Sequence, residues 1–261
     1  MNLVVAHNAG FFSCCSVKLD NIVHFINNFK RLPEEVDGSQ QFDWYKKDNT
    51  LDVTYDYFEH YSNTIMKGDI VLPINYTHFH QFSDYRRLEY NSICSLVQKY
   101  FTPSTQITNI IQKMESKYSV NYDNTCVLFY RGNDKITETA LCDYSEYAMF
   151  AEQILEQHPT ITFLLQSDET EFLQYFTNMF PNNSFYFKDE IRHMNKTNDT
   201  VDKVFSEQNE VYSKFYLAIT IIMSKCQYII CGTGNCSIWI MFYRGHANNV
   251  YQNINGQWLL S

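Results

Sequence analysis

Proline and glycine are scarce in this sequence, five and eight of 261 residues, so breaks are few and long regular elements are expected to dominate over turns. Cations are in deficit too. Lys and Arg number 20 against 29 Asp and Glu, a formal charge of −9 with pI near 5.3. Nucleic-acid binding of a general kind is excluded on that ground, because phosphate neutralisation needs a basic face, whereas a small phosphorylated ligand needs only one or two well-placed cations. No apolar run reaches the roughly 18 to 20 residues that cross a bilayer. The opening MNLVVAHNAGFF has no basic segment ahead of a long apolar stretch, so a cytoplasmic protein without a membrane span is expected. The eight cysteines include no Cys-x-x-Cys pair and no Cys/His cluster at zinc spacing; they read as buried free thiols, and no metal site is expected.

Aromatic residues, in contrast, are plentiful, with 20 Phe and 20 Tyr. A chain of this length holds two compact α/β domains or one large one. LVVA near the start reads as a strand, HNAGFFS as a Gly-containing turn, and Val17, Ile22, Val23, Phe25, Ile26 and Phe29 as one helical stripe. A second short strand and loop are expected over 32–44. The pieces LDVTYDYF and DIVLPINY look β-like, with Lys67-Gly68 as the turn between them. Residues 84–117 turn helical, with Pro103 as the break.

From residue 118 strands and helices alternate. TCVLFYRG is a strand, 145–157 a helix, TITFLLQ a strand, EFLQYFTNMF a helix and NSFYFK a third strand. After a polar insertion at 189–208 come the long helix EVYSKFYLAITIIMSK, the strand QYIICGT and the helix NCSIWIMFYR. Such alternation predicts a parallel sheet covered on both faces. The expected fold class is α/β, with an N-terminal domain over 1–117 and a Rossmann-like domain over 118–261.

In an open parallel sheet ligands bind outside the carboxyl ends of the strands, which singles out HNAGFFS, FYRGNDK, QSDET and CGTGNCS. Arg131 directly follows VLFY, where its five fixed donors suit a pair of phosphate oxygens. Gly132 and Asn133 permit a left-handed turn that brings backbone N–H groups to the same anion. Asp134 is placed to hold the arginine, and Lys135 to add positive potential. Taken alone, RGND is equally well explained as an arginine paired with Asp134 at a surface turn. Ser167 and Asp168 suit hydrogen bonding to a ligand base or ribose, but also a helix N-cap. His7, Asn8, Gly10 and Ser13 form the polar cluster after the first strand. Within it His7, with an ordinary pKa near 6.5, suits proton removal from an acceptor hydroxyl. His78 and His80 in THFHQF would share one face of a strand, yet no third metal ligand accompanies them.

The segment VLFYRGNDK resembles the first motif, His-x-Arg-x-Gly-Asp-Lys, of the α1,6-, α1,2- and protein-O-fucosyltransferase superfamily, with Arg131 on its arginine and Asp134-Lys135 on its closing pair. FLLQSDETEFLQYF is similar to the second motif and SKCQYIICGTGNCSIWIMF to the third, while NAGFFSCCSVKLDNIV resembles the loop and helix that open the acceptor-side domain. The resemblance implies a GT-B-like fold of two Rossmann-like domains facing a cleft. It also implies an inverting, metal-independent transfer from GDP-fucose to a glycan or protein hydroxyl, with no cofactor beyond that nucleotide sugar. Arg131 and His7 would be catalytic. The donor would be bound by Asn8, Gly10, Ser13, Asp134, Lys135, Ser167 and Asp168, and by Thr233, Gly234, Asn235 and Ser237 at the last strand's end. The chain departs from the pattern at Phe129, where the family commonly has His, at Gly132-Asn133, at Gln227, and at Gly234, Asn235 and Cys236, where α1,6-type members place Ser and Gln. A related sugar nucleotide therefore stays open as donor. Two other readings stay open beside it. One is a catalytically silent sugar- or nucleotide-binding protein of the same fold. The other is an NAD-dependent oxidoreductase, which the turn GTGNCS suits poorly because no acidic residue follows it.

Overall fold

The computed structural model describes residues 1–48, 51–66 and 70–259. The chain begins with β1 (Asn2–His7), α1 (Phe11–Phe29) and β2 (Glu35–Gln41), and β1 and β2 pair in parallel as a two-stranded sheet. The N-terminal half therefore carries the β–α–β order in a minimal form. Between β2 and the first long helix pair lie short helical turns, including α2 (Thr54–Tyr57) and a 3-10 helix over His78–Phe82. The β-like reading of LDVTYDYF and DIVLPINY is corrected here: the first holds α2, and the described part of the second is irregular. Of their apolar β-branched and aromatic residues, Val53, Tyr57, Phe58, Ile74 and Tyr76 are buried, Tyr57 and Phe58 against Phe11 of α1 and Tyr76 against Phe242, by tertiary packing rather than in a strand ladder, whereas Val71 is exposed. The expected turn at Lys67-Gly68 lies outside the described residues.

Next come α3 (Tyr90–Tyr100) and α4 (Thr105–Tyr118), with Pro103 between them and the Ser104 hydroxyl accepting from Ile107 N–H as the N-cap of α4. The second half is built on β3 (Thr125–Tyr130), α5 (Tyr144–Gln157), β4 (Thr162–Ser167), α6 (Thr170–Met179), β5 (Ser184–Phe185), α7 (Val201–Val204), α8 (Asn209–Lys225), β6 (Tyr228–Gly232), α9 (Asn235–Arg244), β7 (Val250–Ile254) and β8 (Gln257–Leu259). The six-stranded sheet has the order β5-β4-β3-β6-β7-β8, parallel throughout except for β8. The last two strands extend the sheet beyond the elements that sequence periodicity shows.

All six residues of β3 are buried, as a central strand covered on both faces requires. After β3 the chain winds outward to β4 and β5, then returns to place β6 on the other side of β3. The crevice between the ends of β3 and β6 is therefore the topological switch point, where doubly wound sheets bind ligands. One hydrophobic core runs through both halves. Trp239 of α9 is fully buried, packs against Phe12 of α1 and Phe101, and donates its indole N–H to Ser16 Oγ at 2.9 Å.

Candidate functional site

A cleft of about 320 Å³ separates residues 9–13, Trp44 and Gln81 on the N-terminal side from Arg131, Lys135 and the 233–237 turn on the other. Arg131 also borders two small adjoining pockets, one of about 20 Å³ and one of about 40 Å³. Its position follows from the sheet: β3 ends at Tyr130, and the next side chain emerges into the switch-point crevice.

Arg131 is held by two acids. Its Nη2 donates to Asp134 Oδ1 at 3.0 Å, and its Nε lies 3.0 Å from Asp168 Oδ2. The second contact is an ion pair by distance only, since neither atom has an aligned hydrogen-bond partner among the described residues. Burial alone would lower the arginine's pKa, but Asp168 first, then Tyr216 and Asp134, raise it well above its ordinary value. The guanidinium is permanently cationic. Burial raises the Asp134 carboxyl above the usual carboxylate range, against the pull of Arg131.

The loop after Arg131 differs from expectation in one respect. Asn133 is left-handed, at φ 45°, but the N–H of Gly132 donates to Asp168 Oδ1 at 3.0 Å and that of Asn133 to Glu169 Oε1 at 2.8 Å. The nest of N–H groups is filled from within by the two carboxylates at the end of β4, so it does not face a ligand. Ser167 and Asp168 accordingly have local partners. Ser167 Oγ accepts from Glu169 N–H, and Asp168 spends its carboxylate on Gly132 and Arg131. Lys135 is 7% exposed, pairs with Glu138 and lies over the Phe82 ring. A Cβ on Gly234 would stand 3.2 Å from its Cε and Nζ.

Gly234 has φ 154° and ψ 172°, a conformation essentially restricted to glycine. It lets the chain turn from β6 into α9 with Thr233, Asn235 and Ser237 on the cleft. No side chain caps α9. The N–H groups of its first turn, which have no acceptor inside the helix, carry the positive end of the dipole into the cleft beside Arg131.

On the opposite wall Gly10 and Ser13 line the cleft, whereas His7 and Asn8 stand behind it. Asn8 ties the loop after β2, its Oδ1 accepting from Asp43 N–H and its Nδ2 donating to Gln40 O. His7 Nε2 is 2.9 Å from Ser13 Oγ, and its pKa is lowered by burial and by His78. The ring therefore reaches the cleft only through Ser13. His78 and His80 lie on the 3-10 helix rather than a strand and have separate partners, Asp20 and Thr77. Among the described residues no group of three metal-ligating side chains assembles.

Four cleft residues carry no local signal in the sequence: Trp44, Gln81, Asp202 and Tyr216. Asp202 comes from the polar insertion and is fixed by Arg192 at 2.7 Å and the Tyr45 hydroxyl at 3.1 Å. The hydrogen-bonding pattern marks the site independently. Nine buried side-chain polar atoms lack a hydrogen-bond partner among the described residues, and seven belong to residues lining the cleft or its two adjoining pockets; two of these, Arg131 Nε and Asp168 Oδ2, face each other as the ion pair, which leaves Gln81, Gln166, Tyr216, Asn235 and Asn253. Native interiors rarely leave such atoms unpaired, and their concentration here is what a binding site for a polar ligand requires.

No family model matches the sequence, and no curated protein does. Solved structures do. The NodZ alpha-1,6-fucosyltransferase soaked with GDP-fucose superposes with a TM-score of 0.57 at 9% identity, over 100% of this chain and 98% of that chain. Fucosyltransferase NodZ from Bradyrhizobium does so with 0.56 at 9% identity, over 100% and 98%, and the enzyme co-crystallised with GDP with 0.56 at 9%, over 100% and 97%. No helix of the described residues is long and apolar enough to cross a membrane. With its mixed α/β architecture and large, mainly parallel sheet, the chain has the GT-B-like fold of these fucosyltransferases.

Proposed function

We propose that this protein is an inverting, metal-independent glycosyltransferase that uses GDP-fucose or a related nucleotide sugar. The observation that carries the reading is the cluster of unpaired polar atoms around Arg131 and the uncapped start of α9, at the switch point of a fucosyltransferase-like fold. As the glycosyl bond breaks, charge builds on the departing diphosphate. Arg131 and the first turn of α9 are directed at that charge, and such interactions count most when they strengthen in the transition state. The acceptor hydroxyl attacks the sugar carbon from the opposite wall. Its proton passes to Ser13 Oγ as Ser13 hands its own to His7 Nε2. The lowered pKa keeps His7 neutral, and so able to accept a proton, at pH 7.

The test is thermal shift with GDP, UDP, ADP and NAD, followed by transfer assays with and without EDTA. A rise with GDP and transfer unaffected by EDTA support the reading. A rise with NAD alone sinks it, and loss of transfer in EDTA removes the metal-independent part. One observation favours the catalytically silent alternative: Asp134, Glu138, Asp168 and Glu169 outnumber the two cations Arg131 and Lys135 around the loop. Nucleotide binding without transfer to any acceptor would select that alternative.

A further inference from the structure

Lys135 and the first turn of α9 stand beside Arg131 in the cleft, and one short segment from the other half of the chain, residues 81–85, braces both. The Phe82 ring lies under Lys135, with Nζ 5.3 Å from the ring centroid. Tyr85, on the 3-10 turn Tyr85–Arg87, is fully buried behind the cleft wall. Its hydroxyl accepts from Gly234 N–H at 3.1 Å and lies 2.9 Å from Gln81 O and 3.2 Å from Gly234 O, either of which can take its proton. Gln252 of β7 fixes the segment from behind. Its Oε1 accepts from Tyr85 N–H at 2.9 Å, and its Nε2 donates to Ser83 O at 2.8 Å.

Gly234 is where such a brace matters. A backbone at φ 154° and ψ 172° persists only where its surroundings hold it, and α9 has no side-chain cap of its own. The tyrosine hydroxyl meets Gly234 on both sides, at its N–H and at the carbonyl that opens α9 by accepting from Ile238 N–H at 3.0 Å. Those two peptide planes set the direction in which the unpaired N–H groups of the first turn leave the helix. From these contacts we infer that Tyr85 is a positioning residue of the nucleotide site: its hydroxyl aims the start of α9 at the diphosphate, while Phe82 holds Lys135 beside it. The inference rests on the proposed nucleotide binding and extends it to a residue that does not touch the ligand. Without the hydroxyl, Gly234 N–H is left buried and unpaired, and the turn is free to swing its N–H groups away from the phosphates.

The test compares wild type with Tyr85→Phe, Phe82→Leu and Tyr243→Phe in calorimetric titrations with GDP and with inorganic pyrophosphate, alongside urea unfolding. Tyr243→Phe is the control, since it removes a hydroxyl at the far end of the same helix, where Tyr243 donates to Phe101 O at 3.0 Å. Tyr85→Phe should weaken GDP and pyrophosphate by the same factor of about ten, because the change falls on the phosphates and not on the base. Phe82→Leu should weaken both about threefold. Tyr243→Phe should lower the urea midpoint and leave both affinities as in wild type. GDP bound as tightly by Tyr85→Phe as by wild type, or weakened no more than by Tyr243→Phe, overturns the positioning role and leaves the nucleotide reading intact. If Tyr85→Phe does not fold, Phe82→Leu decides, and an unchanged pyrophosphate affinity there overturns the brace. Pyrophosphate binding that depends on Tyr85, in a wild type that does not respond to GDP, sinks the nucleotide reading and leaves the positioning role standing.

Discussion

Gly132 and Glu169 approach so closely that a Cβ on the glycine would stand 1.9 Å from Glu169 Oε1 and 2.1 Å from its Cδ. Glu169 has no room to withdraw. It is fully buried, accepts from Asn133 N–H at 2.8 Å and from the Tyr144 hydroxyl, and its own N–H is tied to Ser167. Gly132→Ala is therefore expected to destabilise the protein by about 1–3 kcal/mol through overpacking. It should also displace Arg131 enough to abolish the GDP-induced thermal shift. Urea unfolding and the nucleotide titration measure the two effects separately.

Replacing Arg131 separates fold from function. Arg131→Ala strands the Asp168 carboxylate, whose side chain is 5% exposed, at a cost of about 1–3 kcal/mol for a buried group that loses its partner. Adding Asp168→Asn to that variant should restore part of the stability and none of the GDP response. Recovery of nucleotide binding in the double variant would show that Arg131 serves the loop and not the ligand.

The pH response has a definite sign. Burial lowers the pKa of His7 and of His193 below the ordinary 6.5, His78 adding to the effect at His7. In the unfolded chain both rings take up protons near 6.5, and in the folded protein only at lower pH. Stability is therefore full above about 6.5 and falls as pH drops from there through the folded values. The urea midpoint should be lower at pH 5.5 than at pH 7.5, and a His7→Asn, His193→Gln double variant should reduce the difference, with His246, whose pKa is lowered by burial and by Arg244, keeping its own share. A midpoint in the wild type that rises on acidification contradicts the assignment.

Trp239 ties the halves together. Its contacts with Phe12 and Phe101 and its hydrogen bond to Ser16 join α9 to the N-terminal elements. Trp239→Ala should cost about 3–5 kcal/mol, and wild type should unfold in one transition by fluorescence and by circular dichroism. Two separated transitions in wild type would show that the halves fold independently.

Much of the C-terminal half is legible without coordinates, because its elements announce themselves locally. VLFY and TITFLLQ are compact apolar runs bounded by polar turns, 145–157 and 210–225 carry a helical period, and the strand-to-loop junction at Arg131 follows from those boundaries. That much places an arginine at the mouth of a parallel sheet. What the loop's N–H groups bind is not legible, because Asp168 and Glu169 lie some 36 residues away and only the parallel register of β3 on β4 brings them there. The same holds on the other wall. Trp44 and Gln81 sit on short 3-10 turns with no periodic signal, and His7 stands behind Ser13 because α1 turns its first residues over the end of β1. Local pattern thus determined the alternating strands and helices from β3 to α9 and where the cation stands. Long-range packing decided which polar atoms are consumed within the fold and which remain open to the cleft.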